Sequence, residues 1–453
     1  MRIGRLKMAT LLFGNGTGLM PNQLNSPNVR PFRMPPQQHI RIALVYPRDF
    51  EKEAQRLASE LEYGSSYSRR LYSGFERVFK TKLEIERHQI SSLSLDYEED
   101  AKKYIDIIDN IPPASDLIML CIIPRTPKAL ANTPYYIVKK FLIKKRMQSQ
   151  MVTADIIRDA YRFRMSLFPI AMQIFAKAGG VPYALSAPLG IADLKTLNLM
   201  IGVGLSKIRN LETGELSQYI GYANFFAAHG IWLFSEFFVE PYKGDEIRAR
   251  EKLASAFERL ILNSVKKIVE EEKARKNGDI ERINLIIHYS GKQISTLEEE
   301  AIISASADLS TRLKRQVNAA ILKVFTTTIY RIFDDASETF HIAAGTYVQI
   351  HPNVCLLSTM GFLPECRRII GRGTPRPLLI SIKSRGSEPL DLETLVYSVF
   401  AMARVNYAGL TLFTREPATT RYSRRIAYFL NRFNDETLLS DAREFLRRTL
   451  WFI

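Results

Sequence analysis

The chain has few of the residues that build covalent or metal frameworks. Its 453 residues include only three cysteines, Cys121, Cys355 and Cys366, an odd number with no CxxC pair. That count argues against a disulfide scaffold or a zinc ribbon and for a reducing, cytoplasmic setting. Six scattered histidines form no HxxxH pair, so the spacing of a zinc hydrolase is missing. Long hydrophobic runs are also scarce. Leu216 to Ser235 carries no charge, but Gln218, Asn224, His229 and Gly230 interrupt it, and it reads as two neighbouring buried strands, so an integral membrane protein is not expected. Arg2, Arg5 and Lys7 precede a short apolar stretch broken by Gly14 and Gly16, which fails as a signal peptide. No period of 20 to 50 residues recurs, which excludes a solenoid. GxGxxG and Walker loops are missing as well. The nearest stretch, Gly14-Asn15-Gly16-Thr17-Gly18, precedes any strand-to-helix turn, so a nucleotide-binding regulator finds little support.

What the chain does carry is positive charge. Lys and Arg outnumber Asp and Glu by 63 to 47, for a net charge of +16. Such an excess fits a polyanion partner, either nucleic acid or an anionic membrane surface. With 46% hydrophobic and 24% charged residues, the chain can bury cores for two or three domains.

Residues 1–36 are rich in Asn, Pro and Gly and hold no acid; they read as a flexible basic arm. A strand and helix alternation follows over 37–190. IRIALVYP, LEIERHQI and DLIMLCIIP read as strands, with helices over Asp49–Tyr63, Lys102–Ile111, Pro134 to about Gln148, and about Thr153 to Ala178, where Gly179-Gly180 stops the last one. This order predicts a doubly wound α/β domain. A second pattern occupies 191–453, after a boundary near the Pro188-Leu189-Gly190 turn. Three long strands, a long helix from Asp245 to Lys276 and the strand INLIIHYS predict the opening of a ribonuclease-H-like domain, closed by helices near Leu390–Val405 and Arg421–Phe433.

The segment Thr133–Gln150 is the most informative. Tyr136, Lys140 and Lys144 are spaced four apart and share a helical face. An aromatic ring followed one turn later by an ammonium suits a terminal base and its phosphate. Gln150 follows, and Lys177 stands just before the paired glycines. This spacing resembles the guide 5′-phosphate pocket of the MID domain in Argonaute proteins, and the chain is similar to short archaeal-type members that consist of MID and PIWI domains. NLMIGVGLS, INLIIHYSGK, AAGTYVQI, GTPRPLLISIK and EPATTRYSRRIAYF carry the PIWI resemblance, in order and spacing, from about Leu197 to Ile453.

The resemblance implies a Rossmann-like MID domain followed by a ribonuclease-H-like PIWI domain. Tyr136, Lys140, Gln150 and Lys177 would bind the guide 5′-phosphate. Gln150 and the terminal carboxylate of Ile453 would hold Mg2+ or another divalent cation there. It also implies a short 5′-phosphorylated guide, RNA in preference to DNA, a complementary target, DNA in preference to RNA, and a separate effector protein acting in defence against invading DNA. The residues themselves leave the guide and target chemistry open. Cutting members carry two aspartates and a third ligand, aspartate or histidine, that two metal ions need. Here Gly204, Ser290 and Arg424 stand at the matching places, so the chain is expected to bind without cleaving. A guided endonuclease with an atypical metal site is the alternative; the run Glu298-Glu299-Glu300 could serve it, but acids opening a helix complement its dipole. Arg367, Arg368, Arg372, Arg421, Arg424 and Arg425 are candidates for phosphate contacts that hold a duplex without reading it.

Overall fold

The apolar run Leu117–Ile123 forms a strand buried along its whole length, as a strand covered on both faces must be. The computed structural model describes residues 2–127, 130–186, 195–210, 213–276, 280–291, 294–370, 375–386 and 388–453; the expected boundary turn at Pro188-Leu189-Gly190 and Arg372 lie outside them. Strands β1 (His39–Pro47), β2 (Lys82–Ile90), β3 (Leu117–Ile123) and β4 (Gln148–Thr153) pair in parallel in the order β2-β1-β3-β4. Helices α1 (Glu51–Tyr63), α2 (Tyr97–Asp109), α3 (Pro134–Lys144) and α4 (Ala160–Lys177) connect them. Tyr104 and Ile108 of α2 share one core with Val138 and Leu142 of α3 and with Val45, Met119 and Cys121 of the sheet. This is the expected Rossmann-like arrangement.

Two local differences from the sequence reading matter for the site. The helix from Pro134 ends at Lys144, because Arg146 takes a left-handed backbone (φ 57°) and the chain enters the edge strand β4. The expected single helix after Thr153 is two, broken at Asp159, whose carboxylate accepts from the amides of Tyr161 and Arg162 and caps α4. Gly179 (φ 91°) ends α4, as the paired glycines predicted.

The second sheet has nine strands. β5 (Thr196–Arg209), β6 (Leu216–Ala227) and β7 (Trp232–Pro241) are antiparallel neighbours. After the long helix α5 (Glu246–Lys276), β8 (Arg282–Ser290) lies parallel to β5; α6 (Thr296–Leu313) follows, and β9 (Gln316–Phe325) lies parallel to β8. Strands β10 (Thr346–His351), β11 (Val354–Leu357) and β12 (Leu378–Arg385) complete the sheet beside β9. Helices α7 (Leu392–Met402) and α8 (Ala418–Phe433) follow. This is the ribonuclease-H-like order read from the sequence.

The expected flexible arm is instead ordered. Arg2–Arg5 pairs antiparallel with β10 at the sheet edge. Leu6, Met8, Leu11, Phe13 and Leu24 are buried, apolar positions that the polar composition of the segment had masked. The chain divides into two compact units: Leu11–Ala184 with Tyr407–Leu410 and Asp435–Ile453, and Met1–Thr10 with Leu185–Asn406 and Thr411–Asn434. The carboxyl-terminal segment therefore belongs with the first sheet and not, as 191–453 implied, with the second.

Helix α9 (Leu438–Arg448) packs against α3. Lys144 Nζ lies 2.9 Å from Asp435 and 3.3 Å from Asp441, and 3.0 Å from the Thr437 hydroxyl. Burial works to raise the Asp435 carboxyl, but hydrogen bonds from Lys144 and Thr437 overcome it and hold the group below its ordinary value. Leu450, Trp451, Phe452 and Ile453 are buried beyond, each large apolar side chain contributing about 2 kcal/mol. A depressed carboxyl stabilises docking above its ordinary pKa and loses that contribution as pH falls through the lowered value. Lys144→Met is expected to increase hydrogen–deuterium exchange in 438–448 at neutral pH, and acidification below the ordinary carboxylate range to do the same in the unmodified chain.

Candidate functional site

Because β4 is an edge strand, its outward carbonyls have no further strand to take them up. Two lysines serve the Ser149 carbonyl instead. Lys177 Nζ, at the end of α4, lies 2.8 Å from it, and Lys139 Nζ, on α3, lies 3.3 Å from it and 3.0 Å from the Ser149 hydroxyl. Lys177 also donates to Gln150 Oε1 at 2.6 Å. Both lysines are buried, at 3% and 5% exposure, and Gln150 at 7%. Both ammonium groups thus converge on one carbonyl oxygen.

Of the expected ligands, the structure joins Gln150 and Lys177. Tyr136 is buried on α3 with its ring edge-on to Tyr135, centroids 5.0 Å apart. Lys140 points to Asp435 at 3.7 Å, and its neighbour Lys139 occupies the cluster in its stead. The sequence reading missed Lys139 because neighbouring helical residues lie about 100° apart, and only the path of β4 decides which lysine turns inward. Ile453 is buried in the same compact unit.

The donors here suit a hard cation. Gln150 offers an amide oxygen, and the Ile453 carboxylate that the resemblance assigns beside it would offer another, the donor type magnesium prefers. On the same strand face, Gln148 donates to the Lys177 carbonyl, while its buried Oε1 has no hydrogen-bond partner among the described residues. Gln150 Oε1, however, accepts from the Lys177 ammonium at 2.6 Å, which a cation held there would have to displace.

In the other unit, Gly202, Gly204, His288 and Ser290 fall on the sheet face covered by α8. A Cβ at Gly204 would come 2.5 Å from the Tyr222 hydroxyl, which donates to the Ser423 carbonyl at 2.8 Å. At Gly202 it would come 2.3 Å from the Thr419 carbonyl. The helix thus seats directly on β5, and Tyr222 fills the space beside Gly204. Ser290 ends β8, half-buried. Arg424 pairs with Glu416 at 2.8 Å. The acids of α6 are engaged too: Glu298 with Arg250 at 2.8 Å, Glu299 with Tyr289 and Lys323, and Glu300 with Lys383. Among the described residues no three His, Cys, Asp or Glu side chains group as metal ligands. Of the expected arginines, Arg421 donates to the Val405 carbonyl at 2.7 Å; Arg425 extends from α8, and Arg367 and Arg368 lie exposed by the short strand Arg368–Ile370.

Neutral hydrogen bonds hold this face together. His288 is fully buried, its two ring nitrogens 2.8 Å from the Thr419 hydroxyl and 2.9 Å from the Ser398 hydroxyl. Burial pushes its imidazole down to about 3. The unfolded chain therefore binds this proton first as pH falls, and stability should drop by about 1.4 kcal/mol per pH unit between roughly 6.5 and 3. Chemical denaturation across that range checks this; His288→Gln, which cannot titrate, should flatten the slope.

The Piwi domain model matches residues 118–435. No curated protein sequence matches the chain. Among solved structures, the chain is similar to Drosophila Piwi (15% identity, TM-score 0.65, all of this chain and 56% of that one). It is similar to Clostridium butyricum Argonaute bound to a guide DNA and a 19-mer target DNA (15%, 0.65, 94% and 53%), and to Aquifex aeolicus Argonaute (17%, 0.60, 94% and 55%). The chain thus spans about half the length of these proteins, and at such identities the likeness is one of fold. No helix among the described residues is long and apolar enough to cross a membrane. With a Piwi model matching residues 118–435, most of its length, and these two large sheets, the chain belongs to the Piwi-domain family.

Proposed function

We propose that the chain holds the 5′-phosphate end of a short guide strand and uses the guide to find a complementary strand that it does not cut. The observation that carries this reading is the convergence of Lys139, Lys177 and Gln150 at the open edge of β4. The two ammonium groups meet the phosphate, and Tyr136, one turn before Lys140, takes the terminal base once its buried ring turns out from beside Tyr135. Lys140 and Lys144 flank the site and hold the carboxyl-terminal segment through Asp435. Gln150 and the Ile453 carboxylate would hold Mg2+, which supplies positive charge that reconciles a carboxylate with a phosphate. Sequence selection is then left to base pairing. The solved Clostridium butyricum relative carries a guide and a target DNA, which supports a two-strand role. For this chain we favour an RNA guide and a DNA target.

Silence in cleavage is supported by the crowding at Gly204, the serine at 290 and the Arg424–Glu416 pair. Among the described residues no three acidic or histidine side chains group as metal ligands, and two cations need such a group to hold them. A chain that binds without cutting needs a separate effector protein, and defence against invading DNA is the role we propose for the pair.

Nucleic acid that copurifies should be short and carry 5′-phosphates, recovered by ligation that requires that group; Lys139→Ala with Lys177→Ala should abolish its recovery. The loaded protein, given complementary DNA or RNA with magnesium or manganese, should release no fragments. Products opposite the middle of the guide would instead establish a guided endonuclease.

A further inference from the structure

A second cluster of positive charge lies on the unit that contains the guide-end site. The loop Pro21–Arg30 is tied to the loop Gly64–Lys80 by Asn25, whose side chain donates to the carbonyls of Arg69 and Arg70 (3.0 and 2.9 Å) and accepts from the Ser73 amide (2.8 Å). Lys80 closes the other end by donating to the Pro27 carbonyl at 3.2 Å. Together they present Arg30, Arg69, Arg70, Arg77 and Lys80, all exposed. Among the described residues no carboxylate lies within ion-pair distance of any of the five.

Three observations set this cluster apart from an ordinary solvated face. Lys80 adopts a left-handed backbone (φ 56°) at the end of the short helix Phe75–Phe79, where glycine or asparagine fits without strain. Partial burial, then the nearby charges of Arg30 and Arg77, holds its ammonium below its ordinary value, so like charges crowd this end of the cluster. Beside the cluster, Tyr67 is 60% exposed, with the guanidiniums of Arg164 and Arg56 at 4.8 and 5.9 Å from its ring centre. A ring held in place and open to solvent is a stacking surface for a base.

We infer that this face binds the phosphodiester backbone of a single strand, a nucleic-acid contact separate from the guide-end site. Guanidinium groups match phosphate oxygens in pairs, the rigid backbone ties keep the cations spaced, and Tyr67 takes an unstacked base. The contact reads no sequence and adds affinity wherever a strand passes.

The test uses the full chain and one short single-stranded DNA, prepared with a 5′-phosphate or a 5′-hydroxyl. Arg69→Gln with Arg70→Gln and Arg77→Gln should weaken both forms about tenfold and lower the slope of log affinity on log salt by about 2, since each phosphate contact contributes roughly 0.7. The ratio between the two forms should stay as it is in the unmodified chain. Unchanged affinity and slope would overturn the inference. A ratio of one in the unmodified chain would count against the guide-end site alone. Lys80→Gly should weaken DNA binding while raising the melting temperature; a purely structural lysine would lower it. Competition by polyglutamate as effective as DNA of equal charge would refute the nucleic-acid assignment in favour of an acidic protein.

Discussion

Two ammonium groups on one edge carbonyl set the terms for the rest of this molecule. Lys139 and Lys177 are buried where water screens them poorly, and both reach Ser149 because β4 has no outer neighbour. The fold arranges this cheaply. A left-handed turn at Arg146 starts the strand, the Asp159 cap fixes the start of α4, and the glycines after Lys177 stop that helix beside Ser149. Asp435 and Asp441 occupy Lys144 and Lys140 and dock the carboxyl-terminal segment in the same unit. Charge is thus divided on one helix: one lysine turns to the strand edge, and its neighbours clamp the chain terminus.

The second unit shows the opposite chemistry. On the face under α8, this chain packs a tyrosine against a glycine, buries a neutral histidine between two hydroxyls, and pairs Glu416 with Arg424. Asn224 continues the pattern, donating to the Ser423 hydroxyl at 3.1 Å and accepting from Ser235 at 2.6 Å. Such neutral contacts are individually modest, about 1 kcal/mol each. They need no metal charge to balance them, whereas unpaired buried carboxylates do. The sheet keeps its order while its centre is rebuilt around hydrogen bonds.

Much of the fold was legible because burial imposes simple patterns. Leu117–Ile123 read as a central strand because both faces are covered, and Gly179-Gly180 read as a stop because one glycine needs positive φ. Gln150 and Lys177 were legible through spacing and resemblance together. Lys139 was not, since adjacent lysines on a helix differ only in which way the helix is rolled. The order in residues 1–36 was hidden because its few apolar residues sit among polar ones and gain partners far along the chain, as Leu6 does at Gly345. The place of the carboxyl-terminal segment was hidden for the same reason: its ion pairs reach back nearly three hundred residues to α3. Pairings over such separations leave no local signal. The row Asn198, Asn284 and Asn318, linked across three parallel strands, was equally silent.

In the function proposed above, buried positive charge at the edge of β4 grips a terminal phosphate. Equilibrium binding of one oligonucleotide with a 5′-phosphate or a 5′-hydroxyl tests it most directly. The phosphorylated form should bind at least tenfold more tightly, about 1.4 kcal/mol, and Lys177→Ala should remove the difference. Equal affinity for the two forms in the unmodified chain would contradict it.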